Sequence, residues 1–261
     1  GHALGDWLGR GDVALCWMAD QDGRLLAAIR GLGVERVVIR SPHSSDCKAM
    51  HQADRFLETV QGLAQATSDD APLRLPDAAL NEAEARLMEA GVGRERLLVA
   101  LHPGSGSRQK CSDPSLFVEV IERLRSIGMA SVLIGGPADG ERLAEVAASC
   151  AIAPPVFQRL PLLSVAGLLA HANLFLGQDS GLTHLAGSLR LPTIALFGPT
   201  EIRRWAPRGG HVRALSGPPC MCQGQGWQAV QRCKDKPCLN VSPEAVFEAC
   251  LQGLQLYRSF A

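Results

Sequence analysis

Charge of one sign is what this chain lacks: among 261 residues, Lys plus Arg number 26 and Asp plus Glu number 26, so the formal charge is zero. Without a net field, bulk attraction to nucleic acid or to an anionic membrane is excluded as the basis of function. Aromatics are scarce at 5%, with a single Tyr. Hydrophobic residues nevertheless reach 46% against 20% charged, with no low-complexity tract, so disordered and fibrous classes fall away. No apolar run approaches the roughly 18 residues a spanning helix requires. No basic stretch followed by an apolar one opens the chain, so a secretory leader is not expected in it. The expectation is a soluble protein, at most peripheral to a membrane, with no nucleic-acid partner.

Cysteine is present in odd number, nine in all. Five of them (Cys16, Cys47, Cys111, Cys150 and Cys250) are scattered through ordinary core or helix positions, which favours a reducing compartment. The other four form a cluster: Cys220-x-Cys222, ten residues, Cys233, four residues, Cys238. Four thiolates within this span suit a tetrahedral zinc, but the C-x-C spacing departs from the usual C-x₂₋₄-C knuckle. On spacing alone we rank free or loosely paired thiols first, structural zinc second and disulfides third.

Short apolar runs alternate with segments of helical period, the pattern of a parallel sheet covered by helices. Strands are expected at Asp12–Met18 and Arg36–Ile39, and helices at Arg24–Gly31, Lys48–Ala64 and Asp77–Ala90. Gly91 and Gly93 end the last of these, and a domain boundary near Val92 divides the chain into 1–92 and 93–261. Beyond it the rhythm is regular. Strands are expected at Leu97–Leu101, Ala130–Ile134, near Val156, Asn173–Leu176 and Thr193–Phe197. Helices are expected at Pro114–Ile127, Asp139–Ser149, Leu162–His171 and Gly181–Arg190. This is a complete doubly wound unit in count and order, whereas the first block offers half a domain. Asp113-Pro114 and Ser242-Pro243 put a capping side chain ahead of a Pro whose missing N–H costs nothing there.

Two loops after strands carry chemistry. In His102-Pro-Gly-Ser-Gly-Ser-Arg-Gln-Lys110, Gly104 and Gly106 let backbone amides approach a ligand, Ser105 and Ser107 add hydroxyls, and Lys110 adds a mobile charge. The Walker A spacing is absent, and the same residues equally suit a surface turn. In Gly177-Gln-Asp179-Ser180-Gly181-Leu-Thr183-His184, the start of a helix offers roughly half a unit of positive charge, with Ser180, Thr183 and His184 in its first turn. Asp179 would repel a phosphate, so it reads as the helix cap or an orienter of the loop. His184 reads as a half-buried imidazole slightly more readily than as a ligand. Gly135-Gly-Pro-Ala-Asp139 and Phe197-Gly-Pro-Thr200 bring further glycines to the same sheet edge, where Asp139 is placed to accept from ribose hydroxyls. Each is an ordinary turn by itself, but four such loops on one edge point to a nucleotide-like ligand.

From Leu97 to Leu215 the run HPGSG…K, IGGPAD, LGQDSGLTHLAG, PTIALFGPT and WAP resembles the carboxyl-terminal half of the ADP-heptose:lipopolysaccharide heptosyltransferases, glycosyltransferases of family 9 and GT-B type. The resemblance implies an α/β fold of two facing Rossmann-like domains, the first holding a lipid-linked sugar acceptor and the catalytic base, the second an ADP-sugar donor. It implies inverting transfer of heptose or a related sugar with neither metal nor cofactor, on the cytoplasmic side of the inner membrane, with peripheral membrane association. Carried over by position, Lys110 meets the diphosphate with Ser105 and Gly106 beside it, and Asp179 joins Lys110 in the catalytic set. Ser180, Gly181, Thr183 and His184 form the phosphate and sugar end, Asp139 takes the ribose, and the backbone near Leu160 runs along the adenine edge.

The sequence departs from that pattern in two places. Cys111-Ser112-Asp113-Pro114 stands where relatives carry a Trp-Pro pair, and the opening strand and catalytic acid of the first domain have no counterpart. Asp6, Asp12 and Asp20 are nearby carboxylates that read as surface groups. The final helix, with an apolar stripe of Val246, Phe247, Cys250, Leu251, Leu254 and Tyr257, is expected to cross back to the first domain. Arg203, Arg204 and Arg208 around Trp205 suit either an anionic ligand or a solvated loop. A shortened relative that binds nucleotide or nucleotide sugar without catalysis is the competing reading, and a GT-B sugar epimerase a weaker third.

Overall fold

The computed structural model describes residues 13–42, 50–63 and 72–260, with side chains through 255. Asp6, Asp12, Cys47, the ends of the expected helix 48–64 and the Tyr257 side chain lie outside the described residues.

The chain divides into two compact units, Gly1–Asp70 with Arg203–Trp205, and Ala71–Ile202 with Ala206–Ala261. In the first unit, β1 (Val13–Cys16) pairs in parallel with β2 (Arg36–Ile39), joined through α1 (Arg24–Gly31), and α2 (Gln52–Val60) follows. Asp20 accepts the amides of Leu25 and Leu26 at 2.9 and 3.0 Å, so its carboxylate is spent on the start of α1. Arg204 belongs to this unit too. Its guanidinium donates to the Pro42 carbonyl at 2.6 Å and stacks 5.4 Å from the Trp205 ring, so it is a packed group rather than a solvated one.

The second unit is a six-stranded parallel sheet: β3 (Leu98–His102), β4 (Ala130–Gly135), β5 (Val156–Gln158), β6 (Leu174–Gln178), β7 (Thr193–Phe197) and β8 (Val212–Ser216). Its order is β5-β4-β3-β6-β7-β8. The chain starts in the middle, builds outward through β4 and β5, then returns to the other side of β3, so a topological switch falls between β3 and β6. Every residue of β3, β6 and β7 is buried, as a sheet covered on both faces requires.

Alternation along β3 sends Val99 and Leu101 to one core and Leu98 and Ala100 to the other. The first core is completed by α4 (Pro114–Ser126), α5 (Gly140–Ser149) and α10 (Pro243–Phe260), the second by α3 (Asp77–Glu89), α6 (Leu162–Ala170) and α7 (Gly181–Ser188). Helix α4 buries Leu116, Phe117, Val120, Ile121 and Leu124 at helical spacing, with Asp113 accepting the Ser115 amide at 2.9 Å as its cap. The stripe of α10, Val246, Ala249, Cys250 and Leu254, lies in this same core, so its described part covers the second unit's own sheet.

The division at Asp70 replaces the expected one near Val92. The reason is α3, which packs on α6 so closely that a Cβ on Gly167 would sit 2.5 Å from the Ala79 carbonyl. Two short helices not anticipated from the sequence complete the chain, α8 (Ile202–Trp205) and α9 (Trp227–Arg232). No helix among the described residues is long and apolar enough to cross a membrane.

Candidate functional site

The carboxyl ends of β3, β4 and β6 are neighbours in the sheet, so the loops that leave them meet at the switch point. The loop after β3 is held at both ends by one residue of α5. Arg142 donates to the Pro103 carbonyl at 2.7 Å and to the Ser112 carbonyl. Nothing in the sequence had marked Arg142, because a guanidinium in a helix reads as a surface charge.

Within this frame Lys110 reaches Asp179 across the switch, Nζ to Oδ2 at 2.9 Å, with side chains 26% and 8% exposed. The Asp179 side chain therefore does not cap α7, where Ser180 holds the cap position without a side-chain hydrogen bond. The acid is turned to the lysine, and the first-turn amides of Gly181, Leu182 and Thr183 are left uncapped by it. An ammonium has three donors. One is given to Asp179, and the side chain is only partly buried.

A second line of hydrogen bonds lies beneath. His102, at the end of β3, contacts Asp139 through Nε2 at 3.1 Å and Ser180 Oγ through Nδ1 at 3.1 Å. Ser180 Oγ lies 3.3 Å from Thr183 Oγ1, which donates to the Gln178 carbonyl. Since a carboxylate only accepts, Nε2 carries the proton toward Asp139, and the chain runs from there through His102 to Ser180. It ties the ends of β4, β3 and β6 together. Sequence reasoning placed His102 at the head of the loop and gave it no role, since the partners are 37 and 78 residues away.

Asp139 is buried and also accepts the Gly136 amide at 2.7 Å. Burial pushes its carboxyl up, but the hydrogen bonds from His102 and Gly136 and the charges of His102 and Arg142 outweigh it and hold the group below the usual carboxylate range. This carboxylate is thus turned inward onto His102 instead of outward to a ribose, which corrects the expectation for it. A Cβ on Gly104 would run into the same side chain, so glycine is required there by close approach.

Other expected residues are also redistributed. Ser105 is buried and donates its hydroxyl to the Asp179 carbonyl at 2.7 Å, so it straps the two loops and has no proton left for a phosphate. Thr183 is fully buried with its hydroxyl likewise committed. Gly106 and Gly181 face open space, since a Cβ on either meets nothing within 4 Å. His184 is exposed on the first turn of α7, not half-buried. Leu160 follows Arg159, whose φ of 58° and amide bond to the Gly135 carbonyl at 3.3 Å place the backbone at the lip of β4 and β5. Burial pushes the Cys111 thiol up against the pull of Arg142, so it is a packing group. Gln178 is fully buried, and neither its amide nitrogen nor its oxygen has a partner among the described residues.

A doubly wound parallel sheet with an ammonium, an open helix start and two unobstructed glycines at its switch point is an α/β unit of the kind that GT-B glycosyltransferases carry. The sequence profile of glycosyltransferase family 9 (heptosyltransferase) matches residues 43–226, and the chain belongs to that family. Among sequence relatives it is 35% identical over 138 residues to lipopolysaccharide heptosyltransferase 3 of Escherichia coli, a match covering 51% of this chain and 39% of that protein. The match thus spans about two-fifths of that relative. Among solved structures, a family 9 glycosyl transferase from Veillonella parvula superposes with a TM-score of 0.80 at 20% identity, covering 96% of this chain and 76% of that one. The E. coli ADP-heptose lipopolysaccharide heptosyltransferase II superposes with a TM-score of 0.74 at 19% identity, covering 98% and 81%. These two likenesses show the fold.

Proposed function

We propose that the chain is a glycosyltransferase that moves heptose, or a related sugar, from an ADP-sugar to a lipopolysaccharide core acceptor. Transfer inverts the anomeric centre and uses neither metal nor cofactor, and it takes place on the cytoplasmic face of the inner membrane with at most peripheral attachment. The observation that carries this reading is the Lys110–Asp179 pair at 2.9 Å beside the uncapped start of α7, on the switch between β3 and β6.

In such a transfer the bond from the anomeric carbon to the diphosphate oxygen breaks, so negative charge grows on the departing diphosphate while the sugar becomes oxocarbenium-like. A lysine fixed by Asp179 meets that charge without rearranging, and the amides of Gly106, Gly181, Leu182 and Thr183 supply neutral donors around it. At about 4 Å and an effective dielectric of about 20, one ammonium contributes about 4 kcal/mol of gross attraction before desolvation. Ser180 and His184 flank the phosphate and sugar end, and the backbone at Leu160 runs along the base. Asp139 acts through His102 as a positioning residue.

Asp20 is committed to the start of α1, so it does not serve as the base that deprotonates the acceptor. That observation favours, as a second reading, a chain that binds the donor without turning it over. Titration calorimetry with ADP, UDP and GDP tests the binding claim: ADP should bind tightest, and no binding, or a preference for UDP, refutes it. Release of ADP from ADP-heptose on adding a heptose-deficient core acceptor separates transfer from binding alone.

A further inference from the structure

The segment 217–240 leaves β8 and returns to α10 with little to hold it. Its own buried cluster consists of Val230 and Leu239 together with Cys222 and Cys238, and Cys220 and Cys233 pack against it. Two aliphatic side chains are too few to fix so long a loop, and small folds of this kind are usually held by a metal or by disulfides. The sulfurs meet at the centre. Cys220 Sγ lies 3.2 Å from Cys222 Sγ and 3.5 Å from Cys233 Sγ, and the sulfurs of Cys220, Cys222 and Cys238 all lie within 4.8 Å of one another. A disulfide needs about 2.05 Å, so these are separate thiols. Four thiolates around one ion with metal–sulfur distances of about 2.3 Å stand roughly 3.8 Å apart at the corners of a tetrahedron. The sulfurs of Cys220, Cys222 and Cys238 are gathered on that scale, and Cys233 adjoins them through Cys220.

The backbone is shaped to the same end. Gln223 closes a turn over the first two cysteines, its amide donating to the Cys220 carbonyl at 3.1 Å while its side-chain oxygen accepts the Cys220 amide at 3.1 Å. Met221 between them is 94% exposed, as it must be when both neighbours turn inward. Cys233 ends α9, and Lys236, held in the left-handed region at φ 40°, turns the chain so that Cys238 comes back to the cluster. The C-x-C spacing that argued against a metal is therefore no obstacle here, because the turn itself brings the two sulfurs together.

We infer that Cys220, Cys222, Cys233 and Cys238 hold a single thiophilic divalent ion of the zinc and iron(II) class. Four soft ligands exclude magnesium and calcium, and four protein ligands leave no open position, so the ion is structural and takes no part in sugar transfer. Binding displaces up to four protons and leaves a tetrathiolate centre. Its consequence reaches the rim of the sheet. Gln223 donates to the Gly198 carbonyl at 2.8 Å, Gly217 donates to the Cys238 carbonyl at 2.9 Å, and a Cβ on Gly198 would strike Leu239. The ion would thus brace the Phe197-Gly198-Pro199-Thr200 loop from behind.

The test is elemental analysis of the full chain, expressed with zinc and iron in the medium and purified under reducing conditions without chelator. About one equivalent of zinc or iron per chain is expected, released by a mercurial thiol reagent. Cobalt(II) added to the stripped protein should give a thiolate charge-transfer band and the absorption of a tetrahedral site. Cys222→Ser and Cys238→Ser should each lower metal retention at least tenfold, while Cys150→Ser retains it. Because the serine variants can misfold, the parent is also digested with a protease before and after chelation, and cleavage should rise within 217–240. Less than a tenth of an equivalent of metal in the parent, a disulfide among the four cysteines, or metal lost with Cys150 would each overturn the inference.

Discussion

Replacing Lys110 by Met removes the charge on which the proposed donor site depends. The methylene stem is kept and only the ammonium is removed, so packing along the loop after β3 changes little. The gross attraction lost is about 4 kcal/mol at about 4 Å and an effective dielectric of about 20. Part of it returns, because a partly exposed ammonium need no longer be desolvated and the amides at Gly106 and α7 go on donating. The net loss is that of a hydrogen bond to a charged group, about 1.5–3 kcal/mol, or roughly tenfold to a hundredfold in the dissociation constant for ADP. The same change strands Asp179, which is nearly buried, and such an unpaired charge destabilises the fold by up to about 3–5 kcal/mol. The two effects separate in the double variant Lys110→Met with Asp179→Asn, which should recover thermal stability and only that part of the ADP affinity lost to repulsion by the stranded carboxylate, leaving binding at least roughly tenfold weaker than in the parent. Calorimetry gives the first quantity and circular-dichroism melting the second. An ADP affinity within threefold of the parent in folded Lys110→Met refutes the reasoning.

Three further outcomes follow from the rim. Asp139→Asn should cost about 1–3 kcal/mol at neutral pH by weakening the bonds from His102 and Gly136. The sign of its pH dependence is fixed: a carboxyl held below its usual range stabilises the fold above the unfolded value of about 3.9, and that stability is lost as pH falls through the folded value. Denaturant titrations at several pH values should therefore show the parent losing stability in acid more steeply than Asp139→Asn, and parallel curves would sink the idea. Gln178→Met should raise stability by about 1–2 kcal/mol in chemical denaturation, since it replaces a buried amide that has no partner among the described residues by a group of similar shape; a destabilised variant speaks against this. Gly104→Ala should displace the Asp139 carboxylate and weaken ADP binding at least tenfold, whereas an unchanged affinity would mean that the rim tolerates the shift.

Much of the fold was legible because a buried parallel sheet leaves its strands as short apolar runs of a recognisable length, as Leu98–Val99–Ala100–Leu101 does here. The caps at Asp113 and Ser242 were equally legible, since capping is local; Asp113 holds the Ser115 amide and Ser242 the Ala245 amide. Strand β8 was missed: Val-Arg-Ala-Leu-Ser lies at the sheet edge, only partly buried, and carries no strong pattern. The boundary was misplaced because an amphipathic helix such as α3 shows which face is apolar but not which neighbour covers it. In the site, the loops and the lysine were found by type, but their pairings were not. His102 with Asp139, Arg142 with two carbonyls and Ser105 with Asp179 join residues remote in the chain. Only the order of the strands brings them together.

An acid at the mouth of the proposed anion site is a puzzle that the pairing resolves. Lys110 hangs from a loop with no regular structure beyond a single 3₁₀ turn, Arg108–Lys110, and a free ammonium on a four-carbon stem would have many positions to lose on binding. Asp179 removes that freedom in advance, at the cost of cancelling the field that draws the ligand from a distance. For the small donor proposed, orientation matters more than long-range steering, because the charge to be stabilised grows only as the sugar leaves. If that balance is right, Asp179→Asn should bind ADP as tightly as the parent, or more tightly, through the unshielded lysine, yet transfer sugar more slowly from the less ordered one. A variant weaker in ADP binding and undiminished in turnover would show that Asp179 serves the ligand and not the lysine.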